Sequence, residues 1–190
     1  MLKKISINIL GTLLMGFGIS LLIVLNKGVD TISILYMGVQ NQMDIELWIL
    51  CLIINLILVV LVLLINKKLI GIGTIINFLG ISLCLKLFPD LLATYLLPYL
   101  NDYLAYGFVL FGVIILAIGC GYYAKADLGS AALEALSTAL SLKSGLDFKY
   151  MRILLDGITV LLGLLMGASI GVGTILCVLL IGPISKKVQF

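Results

Sequence analysis

Asp156 sits in the stretch MRILLDGITVLLGLLMG, residues 151–167, with no charged residue among the ten that follow it. An aspartate at the centre of a membrane helix costs roughly 2.5–3.5 kcal/mol on insertion scales. One that is kept is a candidate for binding a cation or carrying a proton. It has to face a bundle interior, be hydrogen-bonded, or be neutral. Bonding to a helix terminus or capping a neighbour is the purely structural alternative. A second polar residue, Asn55, lies in another apolar run, 101 positions before Asp156.

The segment KADLGSAALEALSTALSLKSG, residues 125–145, adds a second carboxylate. Asp127 and Ser130 suit a helix start, with Gly129 easing the turn. Glu134, Ser137, Thr138 and Ser141 then recur at i, i+3, i+4 and i+7, one polar stripe on an Ala/Leu helix. Ser33, Tyr36 and Gln40 take the matching places 101 residues earlier. The stripe is either a face in water or the lining of a pathway beside a re-entrant helix. Asp156, Asn55, Glu134, Ser33 and Ser137 are therefore the candidate substrate-binding residues.

Two further motifs are read as structural. GIGT at 71–74 and GVGT at 171–174 each open an apolar run. Gly71, Gly73, Gly171 and Gly173 permit close backbone approach, and Thr74 and Thr174 can cap the helices that follow. Helix N-termini also attract anions, so a ligand role is the sharper alternative. Gly163, Gly167 and Gly171 have the spacing of helix contacts.

Other chemistry is poorly served. The chain has no histidine, the commonest general base and metal ligand. Cys51, Cys84, Cys120 and Cys177 lie in apolar runs without CxxC spacing and read as small apolar side chains. With no nucleophile–base pair, neither an enzyme nor a cofactor is expected. The net charge of +3 is spread over loops, which does not suggest nucleic-acid binding.

The elements that must position these residues are membrane helices. Of 190 residues, 63% are apolar and 11% charged, too few charges to cover a soluble domain of this size. Mean hydropathy is +1.30. Six spans are expected, at 7–25, 47–66, 70–88, 104–123, 150–168 and 170–186. The first has the basic start of a signal peptide, but its apolar run is too long and lacks a cleavage site. The gaps 27–46 and 125–149 are too long for turns and too apolar for loops, so each is expected to hold a short interfacial or re-entrant helix. With the N-terminus inside, ten of the twelve basic residues are cytoplasmic and only Lys27 and Lys86 lie outside, the bias of the positive-inside rule. Both termini are then cytoplasmic.

The chain also repeats itself. An offset of 101 aligns Gly18 with Gly119, Gly28 with Gly129, Leu35 with Leu136 and Asn55 with Asp156; an offset of 100 aligns the GxGT pair. Each half, about 7–88 and 104–186, holds three spans, an odd number. The second half therefore enters the membrane upside down, as in secondary transporters with sites near the repeat interface. A duplication with structural consequences alone is the plainer account. One membrane domain, 1–190, is expected.

KADLGSAALEAL, then SGLDFKYMRILLDGITVLLGLL and GVGTILCVLLIGP, resemble the YczE/YyaS/YitT family of bacterial integral membrane proteins. NKGVDTISIL and GIGTIINFLGIS echo the same pattern in the first half. The resemblance covers nearly the whole chain and implies a multi-pass protein of the bacterial plasma membrane. Where that family reads DLGxGPWDVL, this chain has Thr31, Ile32 and Ser33 in one half and Ala132, Leu133 and Glu134 in the other. Only Glu134 keeps the acid.

Three functions compete. A small secondary transporter would bind a small molecule between the halves. A substrate-capturing subunit of a larger importer would show an alanine docking face on span 1, where none occurs. A non-transporting accessory protein is the third. Besides the bilayer and a small-molecule substrate, no partner is implied, and no oligomeric state.

Overall fold

A computed structural model describes residues 1–189. Among them are eight α-helices and no strand: α1 (Leu2–Leu25), α2 (Thr31–Gln42), α3 (Leu47–Asn66), α4 (Ile72–Tyr95), α5 (Asp102–Ala126), α6 (Ala132–Ser144), α7 (Phe148–Leu165) and α8 (Val172–Gln189). Short 3-10 turns, Lys67–Leu69 and Leu97–Tyr99, close α3 and α4. Both long gaps thus contain the short helix expected of them.

Five helices are long and apolar enough to cross a membrane: α1, α3 with its turn, α4 with its turn, α5 and α8. At 1.5 Å per residue, the 24 residues of α1 reach about 36 Å, enough for a hydrocarbon core of about 30 Å. The expected sixth span, α7, falls outside this set. Lys149, Arg152 and Asp156 place three charges in its 18 residues.

Glycine builds the centre. α1 and α5 run antiparallel in backbone contact. A Cβ on Gly119 would lie 2.6 Å from the Met15 nitrogen and 2.7 Å from the Gly11 carbonyl oxygen; one on Gly18 would lie 2.8 Å from the Gly112 carbonyl oxygen. Gly11 and Gly112, like Gly18 and Gly119, are 101 positions apart. α4 packs on α1 and α8 on α5.

Both central helices end alike. Asn26 after α1 and Asp127 after α5 are left-handed, with φ of 50° and 52°. Gly28 and Gly129 follow at φ 108° and 117°. Each loop docks on the other half's GxGT: the Gly173 N–H donates to the Lys27 carbonyl and the Gly73 N–H to the Leu128 carbonyl, both at 2.9 Å. A Cβ on Gly71, Gly73, Gly171 or Gly173 would overlap this opposing backbone or, at Gly73, also Asn8.

Beyond these loops the chain turns inward. α2 packs on α7 and α6 on α3, so each short helix lies against the other half's long one. α2 starts level with the middle of α7, at Thr31 and Asp156. It ends beside the C-terminal end of α7, where Asn41 Nδ2 donates to the Gly167 carbonyl and Gln42 Nε2 to that of Met166. No residue of 31–39 or 132–141 is exposed, while α3 and α4 turn Leu56, Ile57, Leu64 and Leu83 outward. The polar stripe on α6 is therefore not a face in water: Ser137 is fully buried and Glu134 half-buried. Polar short helices inside and apolar long helices outside is the arrangement a lipid solvent requires.

Gly119→Val is expected to destabilise the fold by about 1–3 kcal/mol or more, as overpacking does. Gly107→Val, with nothing within 4 Å of an added Cβ, should leave it unchanged. Thermal unfolding in detergent, read by monodispersity on gel filtration, checks the pair. Equal melting of both variants would remove the glycine seam from its central place.

Candidate functional site

Asp156 is not alone. Arg152 Nε donates to Asp156 Oδ2 at 2.8 Å and Thr31 Oγ1 to Asp156 Oδ1 at 2.8 Å. Arg152 and Asp156 are i and i+4 on α7, the spacing at which helical side chains meet. Both carboxylate oxygens are therefore engaged, one by its own helix and one by α2. Asn55 acts on α2 from the other side. Its Nδ2 lies 2.7 Å from the Tyr36 hydroxyl and 2.8 Å from the Cys51 carbonyl. Asn55 and Asp156 do not bond each other; they brace the same short helix one and a half turns apart.

Asp30 is the residue that reading the sequence missed. It is the N-cap of α2, and its Oδ1 accepts from Ser33 Oγ at 2.6 Å. Burial pushes its carboxyl above the ordinary value against the pull of Ser33, and Asp156 nearby pushes the same way. Glu134 occupies the matching region of α6, in its first turn. Burial raises its carboxyl too, and Arg152 opposes that. Arg152 thus bonds Asp156 and acts electrostatically on Glu134. Two sequence signals could have found this group: an Asp directly before a helical run, and an Arg four residues before an Asp.

The sequence candidates separate accordingly. Asp156, Ser33 through Asp30, and Glu134 through Arg152 gather where α2 and α6 begin. Asn55 lies one contact away, through Tyr36. Ser137 does not join them, because its hydroxyl donates to the Leu133 carbonyl of its own helix at 2.8 Å. Asp156 bonds the Arg152 guanidinium, Glu134 lies within its electrostatic reach and Asp30 within that of Asp156, beside two helix starts whose dipoles favour negative charge. No cluster of three or more metal-ligating side chains occurs among the described residues.

A cavity of about 550 Å³ reaches Glu134 between Lys68, Gly71, Tyr123, Asp127 and Ser130. Thr74 stands at its edge as a cap. Its Oγ1 accepts from the Gly71 N–H at 3.2 Å and donates to the Ser130 carbonyl at 2.7 Å. At both GxGT helix starts the second glycine's N–H is taken by a protein carbonyl.

Residues 2–189 match the family described as "Family of unknown function (DUF6198)", and the chain belongs to it. An uncharacterised protein of Haemophilus influenzae is 28% identical over 192 residues, covering 99% of this chain and 83% of that protein. No solved structure matches.

Arg152→Gln and Asp156→Asn are each expected to cost about 1 kcal/mol, the upper range for a partly exposed pair, and the double variant less than their sum. Strict additivity in a thermal double-mutant cycle would show that the pair is uncoupled. Asp30 and Glu134 have the pH dependence of raised carboxyls. The folded state holds their protons more tightly, so their contribution is full below the ordinary value of about 4 and is lost as pH rises through the raised ones. Melting of the wild type should fall on that side, and Asp30→Asn should flatten the decline. A steeper decline in the variant would contradict the assignment.

Proposed function

We propose that this DUF6198 member is a small secondary transporter whose solute site lies where α2 and α6 begin, between two inverted halves. One observation carries the reading: Asp156, bonded to Arg152 and to Thr31 at the start of α2, lies beside the N-cap Asp30, and Glu134 in the first turn of α6 is within electrostatic reach of Arg152, under the other half's long helices. Interrupted helices whose ends meet inside the membrane are how transporters bind solutes and coupling ions at mid-depth.

The packing supports inverted halves. Every contact of the first half named above has a partner in the second: α1 on α4 and α5 on α8, α2 on α7 and α6 on α3. The helices fall into two bodies, α1–α4–α5–α8 and α2–α3–α6–α7, joined chiefly where α3 meets α4. Rocking one body against the other would expose the helix starts to each side in turn. In this reading α7 is the sixth span. Its 18 residues reach about 27 Å, and Arg152 and Asp156 offset each other within it. The distribution of basic residues puts both termini in the cytoplasm, and the motif resemblance to YczE/YyaS/YitT proteins fits a bacterial plasma membrane.

The charge balance selects the solute. Three carboxyls against one guanidinium favour a small cation, such as an organic amine, with protons bound at Asp30 and Glu134 as the natural counter-species. The test is thermal stabilisation of purified protein by a panel of amines, amino acids and carboxylates at pH 5–8. Amines should stabilise the wild type in a pH-dependent way, and Asp30→Asn or Glu134→Gln should lose that dependence. Stabilisation by carboxylates alone would overturn the choice of solute. Cysteines introduced near Lys27 and Asp102 should react with impermeant reagents in intact cells, while those near Lys67 and Lys143 should react only after permeabilisation. Labelling of all four from outside would overturn the inverted arrangement.

A further inference from the structure

The two halves differ along one seam. Between α1 and α4 lie Asn8, Thr12 and Asn77, exposed by 0%, 2% and 4%. At offsets of 101 and 100 the second half has Val109, Val113 and Cys177 between α5 and α8. The same backbone packing is therefore achieved with apolar side chains, and the fold does not demand polar ones here.

The polar seam is incompletely paired. Neither Asn8 Oδ1 nor Asn8 Nδ2 has a protein partner. Asn77 Nδ2 has only long contacts, 3.5 Å to Thr12 Oγ1 and 3.6 Å to Met15 Sδ. A buried amide is costly unless bonded, and more so at membrane depth. The chemistry names the occupant. Asn8 presents an acceptor and two donors together. A cation would leave the donors unmet, an anion would leave the acceptor unmet, and water serves both. Internal waters sit where two to four polar groups converge, which Asn8, Thr12 and Asn77 supply. A source is near: the Cβ position of Gly73 is 2.7 Å from Asn8 Nδ2 and 2.8 Å from Leu128 Cβ, and Leu128 lines the cavity that reaches Glu134.

We propose that the α1–α4 interface is a hydrated seam, in which Asn8, Thr12 and Asn77 hold internal water supplied through the Glu134 cavity, while the matching stretch of Val109, Val113 and Cys177 between α5 and α8, beyond the unpaired Thr174 hydroxyl at the start of α8, is dry. Water in this seam satisfies the Asn8 and Asn77 amides, which protein groups leave unpaired or only weakly bonded.

X-ray radiolytic footprinting of the whole protein in detergent tests this, because hydroxyl radicals made from water in place oxidise the side chains beside it. Met15, only 9% exposed, should be oxidised within severalfold of the rate of exposed Met43, while Cys177, 2% exposed in the dry seam, stays unmodified. Asn8→Val and Thr12→Val, the residues of the second half, should each slow Met15 oxidation severalfold and leave Met43 unchanged. An unmodified Met15 in the wild type overturns the proposal. So does a Met15 rate that neither substitution changes. Either variant alone suffices if the other does not fold.

Discussion

Backbone contact between α1 and α5 is the constraint on which the rest of the molecule depends. In a bilayer, lipid tails are as apolar as leucine, so helices associate through close packing rather than exclusion of water. Gly11, Gly18, Gly112 and Gly119 give that packing by removing side chains at the crossing. The antiparallel pairing sends the ends of the two helices, Asn26 and Asp127, to opposite faces. There each loop meets the glycines that open α8 or α4. Because the loops are anchored on the far half, the chain after them has one direction left, back into the protein, and α2 and α6 begin there.

That inward turn creates the electrostatic problem the site answers. Helix starts leave N–H groups unpaired and carry partial positive charge. Carboxylates are the natural complement, and Asp30 and Glu134 supply them. Their burial makes the protonated forms easier to hold, while Arg152 bonds Asp156 through a short contact and opposes the rise at Glu134. The result is a group of ionisable side chains placed where the two short helices pack against α7.

The halves share a skeleton and differ in chemistry. The left-handed turns and glycine seams recur almost residue for residue. The polar positions do not: Asp30 corresponds to Ala131, Ser33 to Glu134, Asn55 to Asp156 and Asn8 to Val109. Positions that fix the backbone are held alike, because an added Cβ there meets opposing backbone. Positions facing the interior spaces are free to diverge, and activity resides in sites grafted on a fold rather than in the fold itself.

The sequence by itself determined a helical membrane protein, both short helices in its long gaps, and the recurrence of glycines and polar positions at an offset of about 100. Those follow from local rules: run length, breakers and periodicity act between near neighbours. Tertiary structure decided which distant helices those faces meet. Thr31 reaches Asp156 across 125 residues, Tyr36 rather than Asp156 takes Asn55, and the α6 stripe is buried. Composition counted three charges in α7 as separate burdens, whereas packing pairs two of them. Asp30 passed unnoticed because its weight comes from burial, and burial is set by helices far away in the chain.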